Sequence, residues 1–175
     1  MSEQRKYELT SETIIHFGRK LYRIKALLSF GSVSAGELGG FVEKEDNLSQ
    51  VYGDAWVYGN AQVYGNARVY GDAQVYGDAW VYGDAWVYGD AQVYGDAQST
   101  KPPIHIIGLR WSITISNTHI QIGCENHTIR EWDNFKDSRI KFMDSHASDW
   151  WRDNKPWIMK LAKAHEEKPA EREVA

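Results

Sequence analysis

The chain has 175 residues, 42% of them hydrophobic and 25% charged, with a formal net charge of -4 at pH 7. That length supports one domain, or one repeat body with small appendages, around a real core, and the mild acidity gives no global pull toward nucleic acid or anionic lipid. A single cysteine, Cys124, excludes an intramolecular disulfide and a four-thiolate zinc site within one chain.

Residues 1–50 read as an N-terminal cap with an irregular first coil. The opening "MSEQRKYELTSE" is polar and lacks an apolar signal core. No run approaches the roughly 18 apolar residues of a membrane span. The expectation is a cytoplasmic protein with no membrane partner. "LYRIKAL" alternates like a strand, and the glycines of "AGELGGFVE" punctuate an irregular coil.

Residues 51–98 are eight copies of V-Y-G-[DN]-A-[WQR]. A short fixed period signals a solenoid, in which each unit buries its face only against its neighbours. The apolar spacing does not fit a helix, and six residues leave too little strand for a meander of hairpins. Read from the alanine, the unit is A-[WQR]-V-Y followed by G-[DN]. Strand side chains alternate in direction, so Ala and Val share one face, and the variable residue and Tyr share the other. Gly-Asp or Gly-Asn turns the corner, since glycine accepts a positive φ and Asp or Asn can bond the local backbone. Small Ala and Val suit a narrow interior, which places the aromatic residues outside.

These residues resemble the hexapeptide-repeat, left-handed parallel β-helix family, which carries an aliphatic residue at the first position and a small one at the fifth. Val51 with Ala55 through Val93 with Ala97 match both positions, while Tyr at the second departs from the family's usual small or acidic residue. The resemblance implies a mainly β fold, a three-sided prism with three hexads per turn. At the usual strand spacing, eight hexads give a rod of about 13 Å, and its ends require covers.

Residues 99–127 read as short strands continuing or closing the solenoid: "KPP" breaks the repeat, and "WSITIS" and "HIQIGC" flank a turn. Residues 128–167 form a helical C-terminal cap. Thr128 and Glu131 make a capping box. A second helix starts near Asp137 with Ile140, Met143, Ala147 and Trp150 on one side, and Pro156 kinks or restarts it before Trp157, Ile158, Leu161 and Ala162. Residues 168–175 are a charged, frayed tail. The leader and the tail "IGCENHTIREW" also resemble those of phage- and prophage-encoded proteins with a repeat body of variable length, a group that brings no general activity.

The hexapeptide-repeat resemblance raises acyltransferase chemistry, in which a histidine serves as general base beside an extruded loop. Residues 51–98 contain no His, Lys, Cys, Ser or Glu and no inserted loop, so the expectation is a non-enzyme without cofactor. An acyl- or nucleotidyl-transferase on the same rod is the alternative, and a structural virion or assembly part is another. Cys124 and His127 have C-x-x-H spacing, with His105 and His119 upstream, but no second tight ligand pair accompanies them. A buried cysteine and a histidine ahead of the helix cap is the plainer reading, and no metal is expected. The corner Asp residues read as solvated.

An 18-residue turn stacks Trp56, Gln74 and Gln92 on one side beside Tyr58, Tyr76 and Tyr94. The next side takes Gln62, Trp80 and Gln98 with Tyr64 and Tyr82, and the third takes Arg68 and Trp86 with Tyr70 and Tyr88. Exposed Tyr, Trp and Arg are the residue types richest in interface hot spots. Trp56, Trp80, Trp86, Arg68, Tyr58, Tyr70, Tyr82 and Tyr88 are therefore the candidate partner-binding residues. They would serve self-association, with a trimer favoured, or capture of a host protein or a small nucleotide-like ligand. Against this stands neutral drift: single-base changes through Arg codons interconvert Trp, Gln and Arg, and Tyr columns stabilise a sheet by stacking alone.

Overall fold

The computed structural model describes residues 5–51 and 53–167, so the tail at 168–175, expected to fray, lies outside them. The chain divides into two compact units, residues 1–103 and 104–175.

The first unit is a β-solenoid led by a hairpin. Strands β1 (Tyr7–His16) and β2 (Arg19–Ala26) run antiparallel around a turn at Phe17 and Gly18. β2 pairs with β3 (Leu38–Val42), which joins the coils in parallel. Eight two-residue strands follow: β4 Trp56–Val57, β5 Gln62–Val63, β6 Arg68–Val69, β7 Gln74–Val75, β8 Trp80–Val81, β9 Trp86–Val87, β10 Gln92–Val93 and β11 Gln98–Ser99. They form three parallel ladders, β4-β7-β10, β5-β8-β11 and β6-β9, each step 18 residues along the chain. The columns match the expected alternation. Every repeat alanine from Ala55 to Ala97 and every repeat valine from Val57 to Val93 is buried in one core.

The corners have a steric cause. At Gly71, φ is +71°, and a Cβ there would come within 3.0 Å of the Gly89 backbone nitrogen one coil above. Tyr columns run beside the ladders: Tyr76 lies on Tyr94 at 4.8 Å, Tyr64 on Tyr82 at 5.1 Å and Tyr70 on Tyr88 at 5.5 Å.

The interior register breaks once. Val51, expected inside, is 59% exposed, and Leu48 bridges Val69 in its place. Nine positions separate Leu48 from Val57, where six separate Val57 from Val63. The three extra residues form an excursion that ties down the hairpin. Gln50 Oε1 accepts the Lys6 and Tyr7 amides at 3.0 and 3.2 Å, and its Nε2 donates to the Tyr7 carbonyl at 3.0 Å. The first coil is closed by polar side chains in place of a missing neighbour. Buried Asn47 donates to the Ala67 carbonyl at 2.8 Å, and Glu43 accepts the Gly65 amide at 2.7 Å. Each satisfies a backbone group that would otherwise be orphaned.

In the second unit, β12 (Ile104–Ile106), β13 (Ile113–Ile115), β14 (His119–Ile122) and β15 (Glu125–Thr128) form one antiparallel sheet. The expected strand pair is thus part of a separate four-stranded sheet, and the parallel ladders end with β11. Three helices follow: α1 (Ile129–Asn134), α2 (Asp137–Met143) and α3 (Ala147–His165). The capping box forms at Thr128, whose hydroxyl accepts the Glu131 amide at 3.1 Å while Glu131 accepts the Thr128 amide at 2.9 Å. The Thr128 hydroxyl, which also donates to Glu131 Oε2 at 2.8 Å, and the Thr128 amide together hold the Glu131 carboxyl below its usual range.

The helix break falls at residues 144–146 and not at Pro156, which lies within a continuous α3. Asp144 turns the chain there by accepting the His146 amide at 2.8 Å. Pro156 is exposed, and a proline on the solvent side leaves its unmatched carbonyl to water. Because the phase carries through, Ala147, Trp151, Ile158, Met159 and Ala162 make the buried stripe and Trp157 falls outside it.

Candidate functional site: the open side of the solenoid

The outward columns fare differently on the three sides. Trp56 is fully buried, with Tyr7 and Phe30 edge-on at 6.1 and 5.4 Å. Trp80 is 8% exposed, beneath His16 at 4.5 Å and Phe17 at 5.7 Å from the hairpin turn. Both indoles point away from the axis, as alternation requires, but neither offers the open surface expected of it. The hairpin and the loop after it lie over them, because an indole on the outside of a narrow rod is a large apolar area that stabilises whatever covers it. Tyr64 is buried under His16 at 5.4 Å. Burial pushes the Tyr64 hydroxyl above its ordinary pKa and His16 below its own.

Tyr58 and Tyr82 are also engaged within the fold. The Tyr58 hydroxyl meets Ser32 Oγ at 2.9 Å, and the Tyr82 hydroxyl donates to Gln98 Oε1 at 3.2 Å.

The third side is different. Its ladder has only β6 and β9, and it leaves Arg68 exposed, Trp86 47% exposed and Tyr88 52% exposed. Tyr70 lies between, stacked on Tyr88 and edge-on to Trp86 at 6.4 Å. Two grooves flank the Arg68–Trp86 pair. One, about 450 Å³, is bounded by Lys44, Asp46, Asn66 and Asp84, and the other, about 320 Å³, by Asp46, Ser49 and Tyr70. Among the described residues no hydrogen bond or ion pair holds the Arg68 guanidinium. The structure therefore gathers four of the eight candidates, Arg68, Tyr70, Trp86 and Tyr88, on one face.

Sequence reasoning missed Lys44 and Asp46, which the three-residue 3-10 turn Glu45–Asn47 and its flank bring to the groove wall. The charge run "EKED" at 43–46 was the available signal. Among the described residues no histidine lines either groove.

Cys124 is exposed rather than buried. His127 Nε2 meets Glu125 Oε2 at 2.8 Å, its ring edge-on to Trp132 and Phe135. Buried His119 pairs through Nδ1 with Thr118 Oγ1 at 2.8 Å, and His105 lies in β12. Among the described residues no three His, Cys, Asp or Glu side chains are grouped to hold a metal ion. No helix among them is long and apolar enough to cross a membrane.

Two stretches, residues 61–73 and 73–89, match the YdcK β-solenoid repeat, and both fall within the coils that carry the open side. No curated protein matches the chain. The chain is a β-solenoid with 18-residue turns, flanked by extensions that include helices.

Proposed function

We propose that this chain is a non-enzymatic binding scaffold that captures a partner protein on the third side of its solenoid. The observation that carries this reading is the unequal covering of three chemically similar sides: Trp56 and Trp80 are buried by the hairpin, while Trp86, Tyr88 and Arg68 stand open beside two grooves. Trp, Tyr and Arg anchors beside concave walls are the usual makings of an interface hot spot. Mixed charge on those walls, with Lys44 and Arg68 against Asp46 and Asp84, suits a protein surface better than a bare phosphate. A nucleotide-like ligand stacked on Trp86 with its phosphate at Arg68 is the second reading, favoured by the unpaired guanidinium.

The resemblance of leader and tail to phage and prophage proteins supports an accessory role in a bacterial cytoplasm, directed at a host factor. A homotrimer packed through solenoid sides is part of the same proposal. The test is capture from a bacterial lysate by the full chain and by an Arg68→Ala, Trp86→Ala double variant, with particle mass measured for both. Loss of the captured protein with unchanged β-sheet signal is the expected result. Retention of the same protein by the double variant overturns the assignment.

A further inference from the structure

The second unit holds a half-open cavity of about 110 Å³ whose walls are largely indole: Trp111, Trp132, Trp150 and Trp151 all line it. The rings are not stacked flat. Trp111 and Trp150 stand at 83° with centroids 5.1 Å apart, and Trp132 and Trp151 at 45° and 4.9 Å. Broad plates meeting at such angles cannot interdigitate as aliphatic side chains do, so a space persists that close packing would normally remove.

The walls are held in place independently of any ligand. Trp132 Nε1 donates to the Ile120 carbonyl at 2.6 Å. Gly123, at φ +58°, allows Trp111 to lie across the β14–β15 turn, since a Cβ there would sit 3.1 Å from Trp111 Cδ1.

Two further features narrow what fits. Among the described residues, Glu125 and Asp144 are the charged ones of the lining, and no Lys, Arg or His joins them. Glu125 already accepts from His127 at 2.8 Å and lies 3.4 Å from Arg139, while the His146 amide holds the Asp144 carboxyl below its usual range. Ring faces carry the negative lobe of the aromatic quadrupole and attract cations. Two of these rings already do so within the chain, Arg110 lying 5.1 Å over Trp111 and Lys155 5.9 Å over Trp151.

We propose that this cavity binds the head of a small quaternary ammonium compound, a methylated cation. The methyl groups face the indoles, and the spread positive charge meets the ring faces and the two carboxylates. The pocket is half open, so the trimethylammonium head enters it while the remainder of the ligand stays toward solvent. The site is independent of the solenoid's open side.

Calorimetric titration of the full chain with choline, with trimethyllysine amide and with 3,3-dimethylbutan-1-ol tests the proposal, since the alcohol copies the shape of choline without its charge. Choline or trimethyllysine is expected to bind saturably, the tighter of the two naming the source, and to slow alkylation of Cys124, which also lines the cavity. The neutral alcohol is expected to bind at least tenfold more weakly, about 1.4 kcal/mol. Equal binding of the alcohol, or no binding of either cation, overturns the proposal. Trp150→Ala removes one wall. Should that variant fail to fold, a Glu125→Gln, Asp144→Asn double variant keeps the shape and removes the charge, and undiminished choline affinity in it also overturns the assignment.

Discussion

Asn66 lies below Asp84 at one corner of the solenoid, and its side-chain amide donates to the Asp84 carboxylate at 3.1 Å. Asn60 approaches Asp78 in the same sense at 3.5 Å, the long limit of such a bond. An aspartate pair at these points would instead set two carboxylates against each other, so the Asp/Asn choice has a local consequence even on a solvated edge. The variable Gln positions also have work within the fold, since the Tyr76 and Tyr82 hydroxyls donate to Gln92 and Gln98. These Asn and Gln side chains thus make contacts between coils that other residues of the variable set would not make in the same way. Asn66→Asp is expected to lower stability by about 0.5–1.5 kcal/mol, the range for one hydrogen bond lost, read as a lower urea midpoint with unchanged slope. A midpoint equal to that of the parent would restore drift as the explanation there. Which residues face inward was legible from the two-residue alternation of Ala and Val. Hydrogen bonds between coils were not, because the amide that pairs with a carboxylate is 18 positions from it and either type suits a corner.

The hairpin β1–β2 and the approach of β3 decide which solenoid side stays open. A Cβ on Gly39 would lie 2.5 Å from the Val57 carbonyl and one on Gly40 2.4 Å from that of Ala61, so this glycine pair lets β3 press against the first coil. Trp80 is the main apolar contact of the hairpin turn, and Trp80→Ala is expected to cost about 3–5 kcal/mol. Trp86→Ala, on the open side, is expected to cost far less. Denaturant unfolding of the two variants separates them, and equal losses would mean that the hairpin does not cover Trp80 in solution. The strand "LYRIKAL" and the glycine-marked coil were readable locally. The placement of His16 and Phe17 over Trp80 was not, since a contact more than 60 positions apart carries no periodic mark. Pro156 misled for a related reason: a proline reports a lost donor, while helix continuation depends on which side of the helix faces solvent.

Across the chain, the 18-residue step means that phase matters more than length. β11 lies over β8 with Gln98 against Trp80, and the closing residues repeat that register, the Asp84 amide donating to the Thr100 carbonyl at 3.2 Å. Duplicating residues 81–98 adds one step to each ladder and returns Ser99 and Thr100 to the same side. Duplicating residues 93–98 alone turns them by a third of a revolution. The longer insertion is expected to keep the parent's thermal midpoint or raise it, and the shorter to lower it; the reverse order by calorimetry would contradict the turn length. The solenoid was legible because its pattern repeats eight times. In the second unit the capping box at Thr128 and the helix start at Asp137 were readable locally, but the four-stranded sheet is written once, and the indoles around the cavity come from the segment before β13, from α1 and from α3.

The hairpin precedes every coil in chain order, and β3 presents a formed edge to β5. During synthesis, therefore, the template leaves the ribosome before the segments it templates. From β7 onward each hexad that emerges has a finished rung below it to settle on, so the order of the chain suits winding as it is made.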